Sequence, residues 1–272
     1  MTTQSAPAKI NLALVVGSRR PDGKHEVVTI LQRVDLVDHI SLEPADRLTV
    51  DGFGGDTLVR KALELLSQTA GTEPSWAVHI DKHIPVAAGL GGGSSDAATA
   101  LRLANETLQR PLSDEKLRVL AASLGADVPF FFAPGPQLGQ GDGSELSPLD
   151  LPQGFWVVLC LPDDARKTST GEVYERFDAR GGEQGFLERR ALLVTTLSEV
   201  RRPDDLAMLP ANDLASSPLV EELRVLGAFR GDVSGAGPAV YGLFTDEAAA
   251  RAAERSLRHH GETWTCAPAW YG

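Results

Sequence analysis

The sequence feature that most constrains the fold is a glycine-rich segment that leads directly into a predicted helix. Residues 89–95 read GLGGGSS. Glycine has no Cβ atom to hold a ligand away from the backbone, so successive N–H groups can converge on an anion. The helix that follows adds free N–H groups and the positive end of its dipole. We therefore predict a phosphate-binding loop here rather than a flexible linker.

The spacing within this loop argues against three common classes of phosphate site. A Walker A loop requires a lysine immediately before the hydroxyl residue, but Gly93 precedes Ser94. A dinucleotide-binding fingerprint requires a third glycine where Ser94 stands, so it fits only in part. The HRD, DFG and APE motifs of protein kinases are absent from the sequence. The loop is therefore predicted to belong to another nucleotide-binding class.

Net charge and the length of apolar runs indicate which kinds of partner and which cellular location to expect. The 272 residues carry a formal net charge of −11 with a pI near 5.0, which disfavours a nucleic-acid-binding surface. The longest strongly apolar run, Phe155 to Leu161, falls far short of the roughly 20 residues that span a bilayer. The first ten residues show no secretory signal. We therefore expect no membrane or nucleic-acid partner and a cytoplasmic location.

The cysteines and histidines indicate no metal or redox site. Cys160 and Cys266 lie in apolar, strand-like stretches, which favours two buried free thiols in a reducing compartment. The six histidines show no HExxH pattern, and no paired Cys-x-x-Cys spacing is present. A zinc site is therefore not expected.

Apolar periodicity predicts a mixed order of strands and helices. Residues 9–16 alternate, which predicts a strand with one buried face and places Lys9 and Asn11 together on the opposite face. A turn is predicted over 19–26, since Pro-Asp-Gly favours a tight reversal. The other predicted strands are 34–42, 48–50, 76–81, 155–161, the two arms of 233–244, and the final TWTCAP segment. The predicted helices are 58–68, a helix that starts at Ser94-Ser95-Asp96, 113–125, parts of 171–228, and 246–260.

This order of elements predicts an α+β fold with two lobes. Strands and helices do not alternate as they do in a parallel doubly wound sheet. Residues 133–154 hold five glycines and four prolines, which makes this stretch a candidate junction. We therefore predict one lobe over residues 1–145 and a second over 146–272.

Three segments together resemble the GHMP kinase superfamily of small-molecule kinases. They are PAKINLAL at 7–14, the PVAAGLGGGSS loop at 85–95, and SGAGPAVYGLF at 234–244. The resemblance implies a two-lobe GHMP kinase fold with ATP and substrate in the cleft between the lobes. It also implies ATP-dependent phosphorylation of an alcohol, with ATP and Mg²⁺ as cofactors.

Further motifs are similar to one group within the superfamily. RRPDGKHE at 19–26, LGADVPFFF at 124–132 and NDL at 212–214 are similar to kinases of isoprenoid precursor synthesis whose substrate carries a cytidine diphosphate group. The alternatives are a superfamily kinase for another alcohol (homoserine, a mevalonate-type compound or a sugar) and a non-catalytic nucleotide-binding module. A monomer or a homodimer is expected.

The resemblance also assigns candidate site residues. It implies that Asp127 takes the hydroxyl proton and that Lys9 keeps Asp127 ionised and stabilises the transferred charge. The implied substrate-binding residues are Asn11, Lys24, His25 and Asn212. The implied ATP-binding residues are Leu58, Lys82, Pro85, Val86, Ala87, Ala88, Gly89, Leu90, Gly91, Gly92, Gly93, Ser94 and Ser95, with Ser94 or Ser95 as the Mg²⁺ contact through Mg-ATP.

Three positions depart from the pattern of the family. Lys24 stands where an aromatic tyrosine usually precedes the histidine, and a lysine stem can lie along a ring but cannot stack as a π-face. Thr57 stands where an asparagine is common, and Ala236 replaces a serine in the late glycine motif. The substitution at residue 24 is the reason to keep another alcohol substrate open.

Overall fold

The computed structural model describes residues 1–54, 58–165 and 169–269, and within them the chain forms two compact units. The first unit comprises Met1–Ala8, Leu36–Val86 and Gly91–Pro134. The second comprises Lys9–Asp35, Ala87–Leu90 and the chain from Gly135 onward. The division at residues 145 and 146 stays a prediction, and Thr57 lies outside the described residues.

Two long strands carry the N-terminal part of the chain. Strand β1 (Thr2–Arg19) pairs with β2 (His25–Pro44). The predicted turn over 19–26 is confirmed, and it is held by a hydrogen bond from Gly23 N–H to Arg20 O (3.0 Å). Both strands are longer than predicted, because burial and pairing continue well beyond the alternating stretch that the sequence shows.

The first unit combines a small sheet with three helices. The end of β2 pairs antiparallel with β4 (Trp76–Asp81), and β3 (Thr49–Asp51) runs parallel to β4. The helices are α1 (Leu58–Ala70), α2 (Gly92–Thr107) and α3 (Asp114–Leu124), followed by a 3₁₀ turn at Pro129–Phe132. Their apolar faces share one core that includes Ile40, Leu63, Leu66, Leu101 and Leu117.

The second unit contains a four-stranded antiparallel sheet in the order β10-β7-β9-β8. The strands are β7 (Trp156–Pro162), β8 (Arg230–Val233), β9 (Val240–Phe244) and β10 (Gly261–Cys266). The helices are α4 (Thr170–Ala179), α5 (Phe186–Glu199), α6 (Leu219–Val225) and α7 (Glu247–Leu257), with a 3₁₀ turn at Pro203–Met208. A core that includes Val158, Leu223, Phe244 and Leu257 packs this sheet against α6 and α7.

The glycine- and proline-rich stretch 133–154 contains a hairpin that the sequence did not predict. Strand β5 (Gln137–Gln140) pairs with β6 (Glu145–Pro148) and also with β2 at Thr29–Leu31. The four-residue strands are too short to show a period against the surrounding glycines. Their hydrogen bonds come from pairing, of β5 with the distant strand β2 and of β6 with β5, and not from a pattern of their own.

The state of the two cysteines and the length of the helices bear on two further expectations. Cys160 and Cys266 are free and buried, as predicted, and burial raises the pKa of the Cys160 thiol to about 11. Among the described helices, none is both long enough and apolar enough to cross a membrane.

Candidate active site

Lys9 lies at the start of a buried chain of hydrogen bonds in the second unit. Its side chain is only 3% exposed, and Nζ donates to Asn11 Oδ1 at 2.7 Å. Asn11 Nδ2 donates to Thr29 Oγ1 at 2.8 Å, and that hydroxyl donates to Ala13 O at 2.8 Å. Burying an ammonium group is costly unless polar partners replace water. The prediction that Lys9 and Asn11 share one face of the strand is confirmed. The series of hydrogen bonds holds the lysine amine in a fixed position.

The glycine loop is held by its carbonyl groups. Ala88 O accepts from Ala239 N–H (3.1 Å), Gly89 O from the Ser234 hydroxyl (3.0 Å), and Leu90 O from Lys9 N–H (2.9 Å). The C=O and N–H of a trans peptide point in opposite directions. The N–H groups that follow these three carbonyls therefore face away from the contacts that hold the loop.

The late glycine motif approaches this loop backbone to backbone. A Cβ atom on Gly237 would lie 2.2 Å from Ala88 C, and one on Gly89 would lie 2.1 Å from Ser234 O. Gly235 has a φ of +58°, and a Cβ there would lie 3.3 Å from Lys9 Nζ. The two glycine segments predicted from sequence are thus in direct contact, and the second one also covers the lysine.

Asn212 supports the late glycine motif in the structure. Its Nδ2 donates to Val233 O (2.9 Å) and Gly235 O (2.7 Å), and its Oδ1 accepts from Leu214 N–H. Both amide hydrogens therefore bind backbone carbonyls. The assignment of Asn212 to substrate binding stays a prediction, and its contacts give it a role in shaping the loop.

His25, at the start of β2, lies in an aromatic cluster with α4. Its ring stacks on Tyr174 with centroids 4.6 Å apart, and the edge of Phe177 lies at 6.0 Å. Asp178 Oδ1 lies 2.7 Å from Nε2, so that nitrogen donates to the carboxylate. The aromatic side chains that contact His25 thus come from α4, and sequence spacing could not show this contact.

Lys24 is occupied by an ion pair. Its Nζ contacts the carboxylate of Asp142, which also accepts from the Ser144 hydroxyl at 2.6 Å. Burial would raise the pKa of Asp142, but the hydrogen bonds from Lys24 and Ser144 outweigh it and lower the pKa to about 2. The lysine is therefore directed toward the hairpin between β5 and β6.

In the first unit, helix α2 begins earlier than predicted. The predicted start at Ser94-Ser95-Asp96 is wrong, because the helix begins at Gly92. Gly91 has a φ of +69° and turns the chain into the helix, and Ser95 N–H makes the first helical hydrogen bond to Gly91 O (2.9 Å). No side chain caps this end. The N–H groups of residues 92–94 thus lack partners within the helix.

The residues predicted to bind ATP differ in their exposure. Val86, Ala87 and Gly93 are exposed, and Pro85, Gly89, Gly91 and Ser94 are half-buried. The buried ones are Ala88, Leu90, Gly92 and Ser95. Leu58 packs against the core of the first unit at the start of α1. Within the described residues, the buried Ser95 Oγ has no hydrogen-bond partner, which marks it as a hydroxyl able to take one.

Lys82 lies between two buried carboxylates. Its Nζ contacts Asp38 and donates to Asp96 Oδ2 at 2.7 Å. The other oxygen of Asp38 accepts from the N–H groups of His83 (2.6 Å) and Ile84 (2.7 Å), immediately before the glycine loop. Sequence reasoning missed both aspartates as site components. For Asp38, the signal available in the sequence was a charged residue within an otherwise apolar strand.

Lys82, Asp38 and Asp96 lie close enough for their charges to shift the pKa values of Lys82 and Asp96. Burial lowers the pKa of Lys82, but Asp96 and Asp38 outweigh that effect and raise it. Burial and the charge of Asp38 outweigh Lys82 and raise the pKa of Asp96 to about 7. Asp96 Oδ1 has no hydrogen-bond partner among the described residues, which agrees with a carboxyl group that gains a proton easily.

Asp127 lies half-buried in the turn between α3 and the 3₁₀ turn that follows it. The turn closes through a hydrogen bond from Val128 N–H to Gly125 O (3.2 Å). Gly125 ends α3, as predicted, and Ser113 caps its start by accepting from Lys116 N–H. Two defined helical segments thus fix the backbone on both sides of the aspartate.

Two family models match the chain at the segments just described. The model of the GHMP kinases N terminal domain matches residues 57–135, and that of the GHMP kinases C terminal matches residues 214–263. A 4-diphosphocytidyl-2-C-methyl-D-erythritol kinase of Geobacter sp. (strain M21) is 40% identical over 93% of this chain and 92% of its own length. The chain belongs to the GHMP kinase family. A Mycobacterium bovis protein of the same name is 36% identical over 91% of this chain and 83% of its own.

Solved structures support the GHMP kinase fold. A crystal structure of 4-(cytidine 5'-diphospho)-2C-methyl-D-erythritol kinase superposes with a TM-score of 0.79 at 31% identity and covers both chains completely. The mevalonate kinase of Methanococcus jannaschii gives a TM-score of 0.77 at 14% identity over 98% of each chain. At that lower identity the likeness concerns the fold alone.

We expect Gly237→Ala to destabilise this kinase. The added methyl group would meet backbone atoms of Ala88 and Gly89, which have no side-chain freedom to move away. Overpacking of this kind costs about 1–3 kcal/mol. The matched control is Gly93→Ala, because a Cβ at Gly93 has nothing within 4 Å. Thermal unfolding should show a lower midpoint for Gly237→Ala alone, and equal midpoints would contradict the contact.

We expect the stability of the wild-type kinase to fall relative to Asp96→Asn as the pH rises from about 4 to about 7. Asp96 holds its proton up to about pH 7 in the folded chain, whereas an unfolded aspartate releases it near pH 4. Its contribution is therefore fully present below the unfolded pKa and is lost as the pH rises through the folded one. The difference should change by roughly 1 kcal/mol per pH unit. Urea unfolding of both proteins across this range measures it, and a constant difference would refute the raised pKa.

Proposed function

We propose that the protein transfers the terminal phosphoryl group of ATP to the 2-hydroxyl of 4-diphosphocytidyl-2-C-methyl-D-erythritol, in the non-mevalonate route to isoprenoid precursors. The observation that carries this proposal is the buried Lys9–Asn11 pair covered by Gly235, since it fixes a lysine amine beside the late glycine motif, which in turn contacts the glycine loop. The identity of 40% with a kinase of that name supports the substrate.

The glycine loop is the proposed site of the ATP phosphates. Its carbonyls are turned into the protein, and the uncapped start of α2 offers the N–H groups of residues 92–94. Oriented N–H groups and a helix dipole stabilise negative charge without the need to reorganise. Lys82 is fixed by its two aspartates, which keeps its charge at the start of the loop.

The donor set at the start of α2 fits a magnesium-bound phosphate. Ser95 Oγ is buried without a partner among the described residues, and Ser94 is half-buried beside it. A hydroxyl oxygen of either serine would hold Mg²⁺, a cation that prefers oxygen ligands and usually binds with substrate phosphates. When bound, Mg²⁺ neutralises charge on the phosphate oxygens.

Asp127 and Lys9 are the proposed catalytic residues. Phosphoryl transfer to an alcohol needs removal of the hydroxyl proton and neutralisation of charge spread over oxygens. Asp127, half-buried in a fixed turn, accepts that proton. The Lys9 amine donates hydrogen bonds to the negative charge that develops on the reacting oxygens, and Asn11 keeps the amine in place.

The cytidine group is proposed to bind near His25. This ring is already stacked on Tyr174, and its Nε2 is fixed by Asp178, so Nδ1 and the exposed part of the aromatic cluster remain for a flat base. Lys24 pairs with Asp142, and this observation favours the second candidate, a GHMP kinase with another alcohol substrate. A cytoplasmic location is part of the proposal and is supported by the two free cysteines.

We expect Asp127→Asn to lower kcat by roughly 10²–10⁴-fold, because the amide cannot accept the hydroxyl proton. ATP binding should persist, since Asp127 is assigned no part in holding the nucleotide. Asp150→Asn serves as the control, because Asp150 is exposed and lies outside the helices and strands. Steady-state kinetics and ATP titration separate the two effects. Wild-type turnover in Asp127→Asn would reject the assigned base and favour another group in that role.

We expect the cytidine-bearing substrate to be phosphorylated with a much higher kcat/KM than homoserine, mevalonate or a free sugar. CMP should raise the thermal midpoint of the protein, because it carries the base and one phosphate of that substrate. Turnover of another alcohol without turnover of the cytidine compound would reject the substrate and retain the kinase. Absence of ATP turnover with every alcohol, together with intact ATP binding, would favour a binding module.

A further inference from the structure

Three side chains that can bind a metal ion meet in the second unit, and none of them is assigned to phosphoryl transfer. They are Glu222 of α6 and the adjacent His259 and His260, which lie between α7 and β10. One coordinating atom of each residue lies within 4.8 Å of those of the other two. His259 is exposed and the other two are half-buried, so an ion can enter from solvent.

The histidine pair is held in position by its surroundings. His260 N–H donates to Leu257 O (2.9 Å), and His260 O accepts from Asp163 N–H (2.8 Å). His260 Nε2 lies 2.9 Å from Glu222 Oε2, and the two imidazole rings are 3.9 Å apart at their centroids. Both histidines are therefore oriented toward one another and toward the carboxylate before any ion arrives.

His259 also shows the outer contact that is typical of a ligating imidazole. Its Nδ1 donates to Ser256 O at 2.7 Å, which fixes the neutral tautomer and leaves Nε2 with a free lone pair. Metal-bound histidines almost always donate their other ring N–H to a carbonyl or carboxylate in this way. The adjacent end of α7 is a helix C-terminus, where the dipole favours a cation.

We propose that Glu222, His259 and His260 form a binding site for a divalent first-row transition metal, with Zn²⁺ as the ion best suited to it. Two imidazoles and one carboxylate match the ligands of three-residue zinc sites, in which water completes the coordination. Nitrogen ligands disfavour Mg²⁺, which prefers oxygen donors, so this site is chemically distinct from the magnesium required for ATP. For Nε2 of His260 to become a ligand, its proton must leave that nitrogen, and the neutral ring then carries its one proton on Nδ1.

The bound ion would link two segments that are distant in sequence. Glu222 precedes His260 by 38 residues. Among the described residues, a single side-chain hydrogen bond joins these two. An ion that binds the folded chain and not the unfolded one stabilises the fold by mass action. The site is therefore expected to strengthen the attachment of α6 to the segment between α7 and β10. This inference is independent of the substrate proposed above.

The test uses the full-length chain without a histidine tag, dialysed against Zn²⁺ in the presence of excess Mg²⁺. We expect one Zn²⁺ per wild-type chain and a zinc-dependent rise in the thermal midpoint. His260→Ala and Glu222→Gln should each weaken Zn²⁺ binding by more than roughly tenfold, because losing even an outer hydrogen-bond partner of a metal ligand typically costs about that much. The matched control His79→Ala removes another exposed histidine that contacts a carboxylate, that of Asp51, and should bind as the wild type does.

Co²⁺ provides a second readout, because its visible absorption spectrum reports the number and type of its ligands. An imidazole- and carboxylate-ligated spectrum that is lost in both variants supports the site. Circular dichroism shows whether each variant is folded, and Glu222→Gln preserves side-chain size. Absence of Zn²⁺ from the dialysed wild type overturns the proposal, and so does binding that survives either substitution.

Discussion

The contact between two glycine segments of the second unit is the constraint on which the candidate site depends. The three successive carbonyls of residues 88–90 accept hydrogen bonds from Ala239, Ser234 and Lys9. Gly237 approaches the loop so closely that a Cβ atom would not fit there. A buried carbonyl left without a donor costs about 1–3 kcal/mol, so the loop has little freedom to turn over. The direction of its N–H groups therefore follows from contacts made on the opposite side of the backbone.

Buried charge is the second organising feature, and each unit handles it differently. Lys9 donates to Asn11, which in turn donates to Thr29, and these hydrogen bonds hold the amine in place. Lys82 has two carboxylate partners, and Asp96 compensates by taking up a proton near neutral pH. In each case the hydrogen bonds fix the position of the amine and reduce the cost of taking its charge out of water.

Much of the secondary structure could be predicted, because the long helices and strands have regularly spaced apolar residues and recognisable capping residues at their ends. Helix α3 is the best example, with Ser113 at its start and Gly125 at its end. The hairpin β5–β6 was missed, since its short strands show no clear pattern and depend on pairing, of β5 with the distant strand β2 and of β6 with β5. The start of α2 was misplaced for a related reason. The sequence predicts a start at Ser94-Ser95-Asp96, but the positive φ of Gly91 turns the chain into the helix two residues earlier.

The sequence by itself determined the chemistry that is available: a glycine loop before a helix, a lysine and an asparagine two residues apart on one strand face, and motifs that resemble a kinase family. These are local properties, since composition and spacing depend only on neighbouring residues. Tertiary structure alone decided which distant groups meet. It brought Tyr174 to His25, Asp38 to Lys82, and Glu222 to the histidine pair at 259 and 260. Such contacts arise from the packing of elements that are far apart in the chain, and no periodicity encodes them.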